Sequence, residues 1–348
     1  MRKIDAMRKL LVILLSAAGA LSAAQRKIVI VGAEHYWWAY TEDALREYRN
    51  AGKDVAFVVA KPGAELAREV VDAEAVIGGI PRELFARAKK LQWVQTYSAG
   101  VEDYGWKEFV DSDVTLTNCK IVQGPNIADH AMAMLLGLTR SLNRFQTAQG
   151  KEEWQRDAPE NRDLQELQDM TAVVIGVGGI GSQIAQRAHA FGMKVIGVDP
   201  KDLAPGLTVS RLVSPHHLDS VLPQADVVFV AAPLTPQSKG MMGQRQFDLL
   251  KQGSYFIAVS RGGLYDTPAL VKALDSQKLA GAGLDVTEPE PLPKGHPLWK
   301  FRNVLITPHV AGQSPGSHRR RVRVVEENIL RFVRGEPLLN VVDKRKGY

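Results

Sequence analysis

The sequence predicts an α/β protein built on two doubly wound parallel sheets, and three observations carry that expectation. Short apolar runs bounded by turn residues alternate with segments of helical periodicity along nearly the whole chain. One run, Val173-Val-Ile, leads into Gly176-Val-Gly178-Gly-Ile-Gly181, and the next, Val195-Ile-Gly-Val198, ends on Asp199. The alternation before about residue 120 has no such glycine turn. The chain therefore reads as two α/β units of unequal kind, with the second inserted in the first.

In the first unit the expected strands are Lys27–Val31, Asp54–Ala60, Ala75–Gly79, Gln92–Thr96 and the short Thr115–Thr117. Helices are expected at Glu42–Ala51, Ala64–Val71 and Pro81–Lys90, the last opened by a proline that suits a first helical turn. After the breaker Gly124-Pro125, Ile127–Ala148 reads as one long helix, with Ala131, Met134, Leu135 and Leu138 on its apolar stripe. Gly150–Asp169 is polar and loop-like. The second unit starts at Thr171, and its strands continue at Ala225–Ala231, Ser254–Val259, Gly281–Asp285 and Val304–Thr307, making five or six in all. Ser314–Arg334 is the closing helix and Leu338–Val342 a strand-like tail. The expected domains are residues 25–124, 125–311 as the inserted nucleotide-binding unit, and 312–348 as the return to the first.

Strand, glycine turn, helix and a second strand ending in an acid make a dinucleotide pocket. Gly176 permits a tight turn, Gly178 lets backbone approach a pyrophosphate, and Gly181 lets helix pack close to strand. The helix N-terminus adds N–H groups and the positive end of a dipole. Asp199 falls about twenty residues after the turn, where an acid accepts hydrogen bonds from the adenosine ribose. Its charge repels a 2′-phosphate, so NAD is favoured over NADP.

Composition narrows the function classes. A single cysteine, Cys119, excludes an internal disulfide and any multi-cysteine metal site, and the eight histidines form no metal-binding pair, so no metal is expected. Arg2, Lys3, Arg8 and Lys9 against Asp5 supply half of the formal charge of +6, which leaves no argument for nucleic acid. The run His318-Arg319-Arg320-Arg321-Val-Arg323 reads as the solvated face of the closing helix, with Val322, Val324 and Val325 inward. Residues 1–24 have a basic start, an apolar stretch Leu10–Leu15 and small residues ending Ser22-Ala23-Ala24. That is the three-part pattern of a secretory signal, too short for a comfortable membrane span. Export to a periplasm-like compartment is the expectation, with no stable span after removal. A cytoplasmic location is the alternative, because the cofactor is held inside cells.

Three more segments follow strand ends, where open α/β sheets bind ligands. Val259-Ser260-Arg261-Gly262-Gly263 offers a guanidinium fork for a carboxylate. Asp285-Val-Thr-Glu288-Pro-Glu290-Pro places acids among prolines. Thr307-Pro308-His309-Val310-Ala311-Gly312 puts a histidine beside a turn. Together with Gln95-Thr-Tyr-Ser98-Ala99-Gly100-Val101, Asn126–His130, Pro233-Leu-Thr235-Pro and Leu339-Asn-Val-Val342, their order resembles the D-isomer-specific 2-hydroxyacid dehydrogenase family from about Lys27 to Val342.

The resemblance implies a Rossmann domain inserted in a flavodoxin-like substrate domain, with the site between them and closing over the substrate. It implies hydride transfer between NADH and a small 2-keto acid such as glyoxylate or hydroxypyruvate. Arg261 would hold the carboxylate and carbonyl oxygen, and His309 would be the general acid and base. Glu290 would accept a hydrogen bond from the far ring nitrogen, orienting the imidazole and stabilising its cation. Ser98, Ala99, Gly100 and Val101 would bind the substrate carboxylate from the substrate domain. Gly179, Ile180, Asp199, Ala232, Val259 and Val310–Gly312 would line the cofactor, with Asp285 near the nicotinamide carboxamide. A homodimer through Ile127–Ala148 is implied as well. The aromatic run His35-Tyr36-Trp37-Trp38, after the first strand, reads equally as facing the cleft or as surface or core aromatics.

The chain departs from the family pattern at Ala258, where asparagine is usual, and at Asp129, where glutamate is commoner. Glu290 separates it from the formate-oxidising branch, and its end about forty residues after His309 implies a short form without a regulatory domain. A non-catalytic NAD-sensing or scaffolding protein on the same fold is the alternative function.

Overall fold

The computed structural model describes residues 26–31, 45, 46, 48, 50, 55–201 and 207–348. The leader-like residues 1–24 and the aromatic run 35–38 lie outside the described residues. Of the expected helix at 42–51, residues 45, 46, 48 and 50 are described and helical, with Leu45 and Tyr48 buried. Two compact units emerge. One holds the described residues up to Tyr97, with Trp106–Asn118 and Val322–Val342; the other holds Ser98–Gly105, Cys119–Arg321 and Asp343–Tyr348.

The first unit carries β1 (Arg26–Val31), β2 (Val55–Ala60), β3 (Ala75–Ile77), β4 (Trp93–Gln95) and β5 (Thr115–Thr117). They pair in parallel in the order β2-β1-β3-β4-β5. That is the flavodoxin-like doubly wound order, which reverses direction between β1 and β3. Its helices are shorter than expected: one covers only Ala64–Glu69, and Arg82–Phe85 stops where i→i−3 bonds from Arg87 and Ala88 replace the helical ladder. The tail forms one antiparallel bridge, Val341 to Thr117, rather than a strand.

A buried polar network ties that tail to the sheet. The Trp93 indole N–H donates to Thr117 Oγ1 at 2.7 Å, and Thr117 Oγ1 donates to Gln95 Oε1 at 2.8 Å. Asn328 Nδ2 donates to the same Gln95 oxygen at 2.8 Å, while Asn328 Oδ1 accepts from the Leu339 N–H at 2.7 Å. These polar groups are buried because they satisfy one another.

The second unit carries β6 (Thr171–Ile175), β7 (Lys194–Val198), β8 (Arg211–Val213), β9 (Val227–Val230), β10 (Ser254–Ala258), β11 (Leu279–Leu284) and β12 (Val304–Ile306). Seven parallel strands in the order β12-β11-β10-β9-β6-β7-β8 exceed the five or six expected. The addition is β8, a half-exposed strand of three residues whose period-2 signal is too short to read. Alternate residues of β6 enter two separate apolar cores, Val173 and Ile175 in one, Ala172 and Val174 in the other. Helices therefore cover both faces of this sheet, as buried parallel strands require.

The long helix differs from expectation at both ends. Gly124-Pro125 forms its first turn instead of preceding it, since proline is tolerated where no ladder N–H is needed. It stops at Thr139, and Ser141, in the left-handed region at φ 51°, separates it from Leu142–Gln149. Within the closing helix Pro315–Arg334, Val325 is buried while Val322 and Val324 are only partly so. Burial pushes the Cys119 thiol up to about 12 against the opposite pull of Arg321, so it is no nucleophile near neutral pH. Among the described residues no cluster of His, Cys, Asp and Glu could hold a metal ion. No helix among them is long and apolar enough to cross a membrane.

Candidate active site

The site is assembled at the C-terminal ends of the second unit's strands. The strand order reverses between β6 and β9, and there the glycine turn meets Ala232. Gly176 has φ 86°, and a Cβ on it would lie 2.6 Å from the Ala232 backbone. A Cβ on Gly181 would lie 1.8 Å from the Gly176 carbonyl oxygen, so only glycine lets the helix Gly181–Ala190 start this close to the strand. A Cβ on Gly178, by contrast, would meet nothing within 4 Å. Two glycines are thus required by packing, while the middle one borders open space beside a helix N-terminus. That arrangement fits a bound pyrophosphate.

Asp199 stands at the end of β7 with both oxygens aimed back at backbone. Oδ2 accepts from the Val177 N–H at 2.8 Å, and Oδ1 accepts from the Lys201 N–H at 2.9 Å. The carboxylate is fixed beside the glycine turn, where the dinucleotide reading needs it. Gly179 and Ile180 complete the turn, and Gly179 packs on Ile121. Ile121 is a β-branched residue in the left-handed region at φ 77°, a strained backbone with no local signature among its neighbours. Val259 is buried after β10, its N–H bonded to the Val230 carbonyl at 3.2 Å.

His309 follows β12 and also lies in the left-handed region, at φ 54°. Asp285, buried at the end of β11, holds it there. The His309 N–H donates to the Asp285 carbonyl at 2.9 Å, Val310 N–H to Oδ1 at 2.9 Å and Ala311 N–H to Oδ2 at 3.0 Å. Thr307 Oγ1 donates to Oδ1 at 2.6 Å and also meets His130 Nε2 at 2.9 Å. The Gln123 and Asn126 amides reach the same turn: Gln123 Nε2 donates to the Gly312 carbonyl at 3.2 Å and Asn126 Nδ2 to the Ala311 carbonyl at 2.6 Å. Asp285, expected near the nicotinamide, here fastens the histidine turn.

His309 Nδ1 lies 2.6 Å from Glu290 Oε1, and both side chains are 41% exposed. The pair engages one ring nitrogen and leaves Nε2 on the opposite edge. Arg261 follows β10, and a Cβ on its neighbour Gly262 would strike the Thr287 carbonyl group at 2.1 Å. The arginine turn is therefore pressed against the loop that carries Glu290. Arg261 Nη1 donates to the Ser260 carbonyl at 2.8 Å, and Nε pairs with Glu102 Oε1 at 2.8 Å. The loop Ser98–Gly105 belongs to this unit, with the Cys119 N–H on the Ser98 carbonyl at 2.8 Å. A Cβ on Gly100 would lie 2.0 Å from Arg261 Nη2, which places Ser98–Val101 against the guanidinium. Glu102 escaped the sequence reading because its partner is 159 residues away.

Ala258 is fully buried in the core, where an asparagine would need a polar partner. Asp129 accepts from Arg187 Nε at 2.6 Å on an exposed surface.

Residues 132–311 match the model of the D-isomer specific 2-hydroxyacid dehydrogenase NAD binding domain. The chain belongs to the D-isomer specific 2-hydroxyacid dehydrogenase family. It is 31% identical over 287 residues to a glyoxylate reductase of Korarchaeum cryptofilum, covering 80% of this chain and 85% of that one. It is 30% identical over 310 residues to a D-3-phosphoglycerate dehydrogenase of Methanocaldococcus jannaschii, covering 87% of this chain. The chain spans only 57% of that relative's length. The crystal structure of a family member from Xanthobacter autotrophicus Py2, in complex with NADPH and MES, superposes with a TM-score of 0.77 at 29% identity. That likeness covers 93% of this chain and all of that one. The two parallel-sheet units are the family's fold, and residues 132–311 are its NAD-binding part.

Proposed function

We propose that the chain is an NAD-dependent oxidoreductase that interconverts a small 2-keto acid and its D-2-hydroxy acid. The observation that carries this reading is the His309–Glu290 pair at 2.6 Å, on a turn fixed by Asp285. A lone histidine at a strand end is ordinary. One locked in a left-handed conformation, with a carboxylate on Nδ1 and its other edge available, is arranged to give and take a proton.

NADH, when bound, supplies the hydride that reduces the carbonyl carbon. The glycine turn and the N-terminus of Gly181–Ala190 hold the pyrophosphate, and Asp199 accepts from the ribose. Arg261 attracts the substrate carboxylate and polarises the carbonyl. His309 Nε2 gives its proton to the carbonyl oxygen as the alkoxide charge develops. Glu290 accepts from Nδ1 throughout, which orients the ring and fixes the tautomer left behind after transfer. In oxidation the same ring takes the hydroxyl proton.

Asp199 supports NADH over NADPH, although the Xanthobacter relative was crystallised with NADPH. Relative kcat/KM for the two cofactors tests that preference. A homodimer is part of the same proposal, supported by Leu142, which is 55% exposed beside the long helix, and a solution mass of one chain would reject it. Export through residues 1–24 is a separate proposal, and an intact Met1 or Met7 on soluble cytoplasmic protein would refute it.

The experiment for the activity is NADH oxidation by the purified chain with glyoxylate, hydroxypyruvate and pyruvate. Turnover of at least one is expected. NADH binding without turnover of any would favour the non-catalytic, NAD-sensing alternative.

A further inference from the structure

Arg261 does not meet its substrate as a bare cation. Its Nε lies 2.8 Å from Glu102 Oε1 and its Nη2 3.4 Å from Glu102 Oε2, so one carboxylate covers the Nε/Nη2 side of the guanidinium. The pair is about one-third exposed at each end, so solvent does not fully screen it. Gly100 leaves no room for a side chain beside Nη2, and the Glu102 pair holds the guanidinium against this loop. What remains is the Nη1/Nη2 edge, with Nη1 already giving one hydrogen to the Ser260 carbonyl. An arginine has five N–H donors, and this geometry leaves about two for a ligand, enough for one carboxylate and its neighbouring carbonyl.

The charges follow the same logic. Arg261 is balanced by Glu102, and His309 in its proton-donating form is balanced by Glu290. Glu288 adds a further carboxylate, with Oε2 3.7 Å from where a Cβ on Gly263, two residues after Arg261, would stand. These five groups sum to one negative charge before any substrate arrives. One carboxylate can be accommodated because it gains directed bonds from the guanidinium. A second anionic group gains no such bonds and meets the Glu102 carboxylate held on the same guanidinium, in a partly desolvated site.

We infer that Glu102 is a specificity-determining residue that restricts the site to 2-keto acids carrying a single negative charge. Phosphorylated and dicarboxylic keto acids are rejected by its charge rather than by their size. This deepens the proposed activity and rests on Arg261 being the carboxylate-binding group.

The test uses two isosteres that differ in charge, oxamate as monoanion and oxalate as dianion, titrated into the NADH-bound full chain. Wild type binds oxamate more tightly than oxalate, by roughly tenfold, and Glu102→Gln narrows that ratio to a few-fold. Glu102→Asp retains the charge and keeps the ratio near the wild-type value, which a purely positional role would not do. Kinetics follow the same split: in Glu102→Gln the KM for oxaloacetate falls relative to that for 2-oxovalerate. A ratio that Gln leaves unchanged, tighter oxalate than oxamate in wild type, or no binding of either anion overturns the inference. If oxamate selectivity responds to Glu102 but no keto acid is reduced, the activity fails and the charge filter stands.

Discussion

The two sheets of this protein solve the same backbone problem at their reversal points and then diverge. In the first sheet Gly78, at φ 101°, follows β3, and a Cβ on it would lie 2.3 Å from the Val31 carbonyl oxygen at the end of β1. In the second sheet Gly176, at φ 86°, follows β6 and touches the Ala232 backbone after β9. Both positions demand glycine for conformation and for close approach. Beyond Gly78 the Tyr97 ring would meet the added Cβ at 3.0 Å, so the space is filled. Beyond Gly176 comes Gly178 with open surroundings and then a helix of ten residues. The first crevice is packed with side chain, whereas the second keeps room for a phosphate. Polar residues divide in the same way. Gln95, Thr117 and Asn328 are buried and bonded to one another, while Arg261, Glu290 and His309 stay partly exposed at strand ends.

If that division is right, damage to the first unit's network costs stability, and damage to the second unit's strand ends costs binding or chemistry. The largest stability effect is expected at Asn328→Leu. It removes the donor to Gln95 and the acceptor for the Leu339 N–H, at about 2–4 kcal/mol. The thermal midpoint should fall by several degrees with NADH affinity per folded molecule unchanged. Loss of NADH affinity without loss of stability would break the comparison.

Within the glycine turn a finer contrast is available. Gly181→Ala drives a Cβ into the Gly176 carbonyl and should destabilise the chain by about 1–3 kcal/mol. Gly178→Ala meets no protein atom, so the thermal midpoint should hold while the Kd for NADH rises roughly tenfold, about 1.4 kcal/mol. Equal thermal shifts in the two variants would mean that Gly178 is a packing glycine like its neighbours.

The smallest effect concerns pH. Burial pushes the Lys27 ammonium down, but the Asp72 and Glu69 carboxylates, at 2.7 and 2.9 Å, prevail and raise it above its ordinary 10.5. A raised lysine stabilises the fold fully below about 10.5 and loses that contribution as pH rises through the folded value. The gap in thermal midpoint between wild type and Lys27→Met should therefore hold through neutrality and close on the alkaline side. It should close again on the acid side only below the ordinary carboxylate range, where Glu69, pushed up by burial but held low by its bonds to Lys27 and Arg68, takes up its proton. A gap that closes between about pH 5 and 8 would place the effect on other groups.

Much of this was legible in the sequence because its signals are local. The turn Gly176–Gly181 lies in one strand–loop unit, and Asp199, Arg261, Glu290 and His309 each stand in the loop that follows a strand, where local spacing encodes geometry. The break at Ser141 was not legible, since a single left-handed serine leaves the apolar periodicity of Ile127–Ala148 intact. Strand β8 was too short to show alternation. Glu102 facing Arg261 and Asn328 facing Gln95 are pairings across 159 and 233 residues, which no local pattern carries. The second role of Asp285 was hidden for a related reason: its partners are backbone N–H groups at Val310 and Ala311, and these have no side-chain signature.

The central claim is that His309 delivers a proton while the bound cofactor delivers a hydride. Single-turnover reduction of glyoxylate, using NADH deuterated at the transferring position, tests it most directly. Wild type should yield glycolate with deuterium on C2, one equivalent per bound NADH. His309→Ala should bind NADH with unchanged Kd and form product about 10²–10⁴ times more slowly. Product formed by the variant at the wild-type rate, or glycolate without deuterium on C2, would contradict the account.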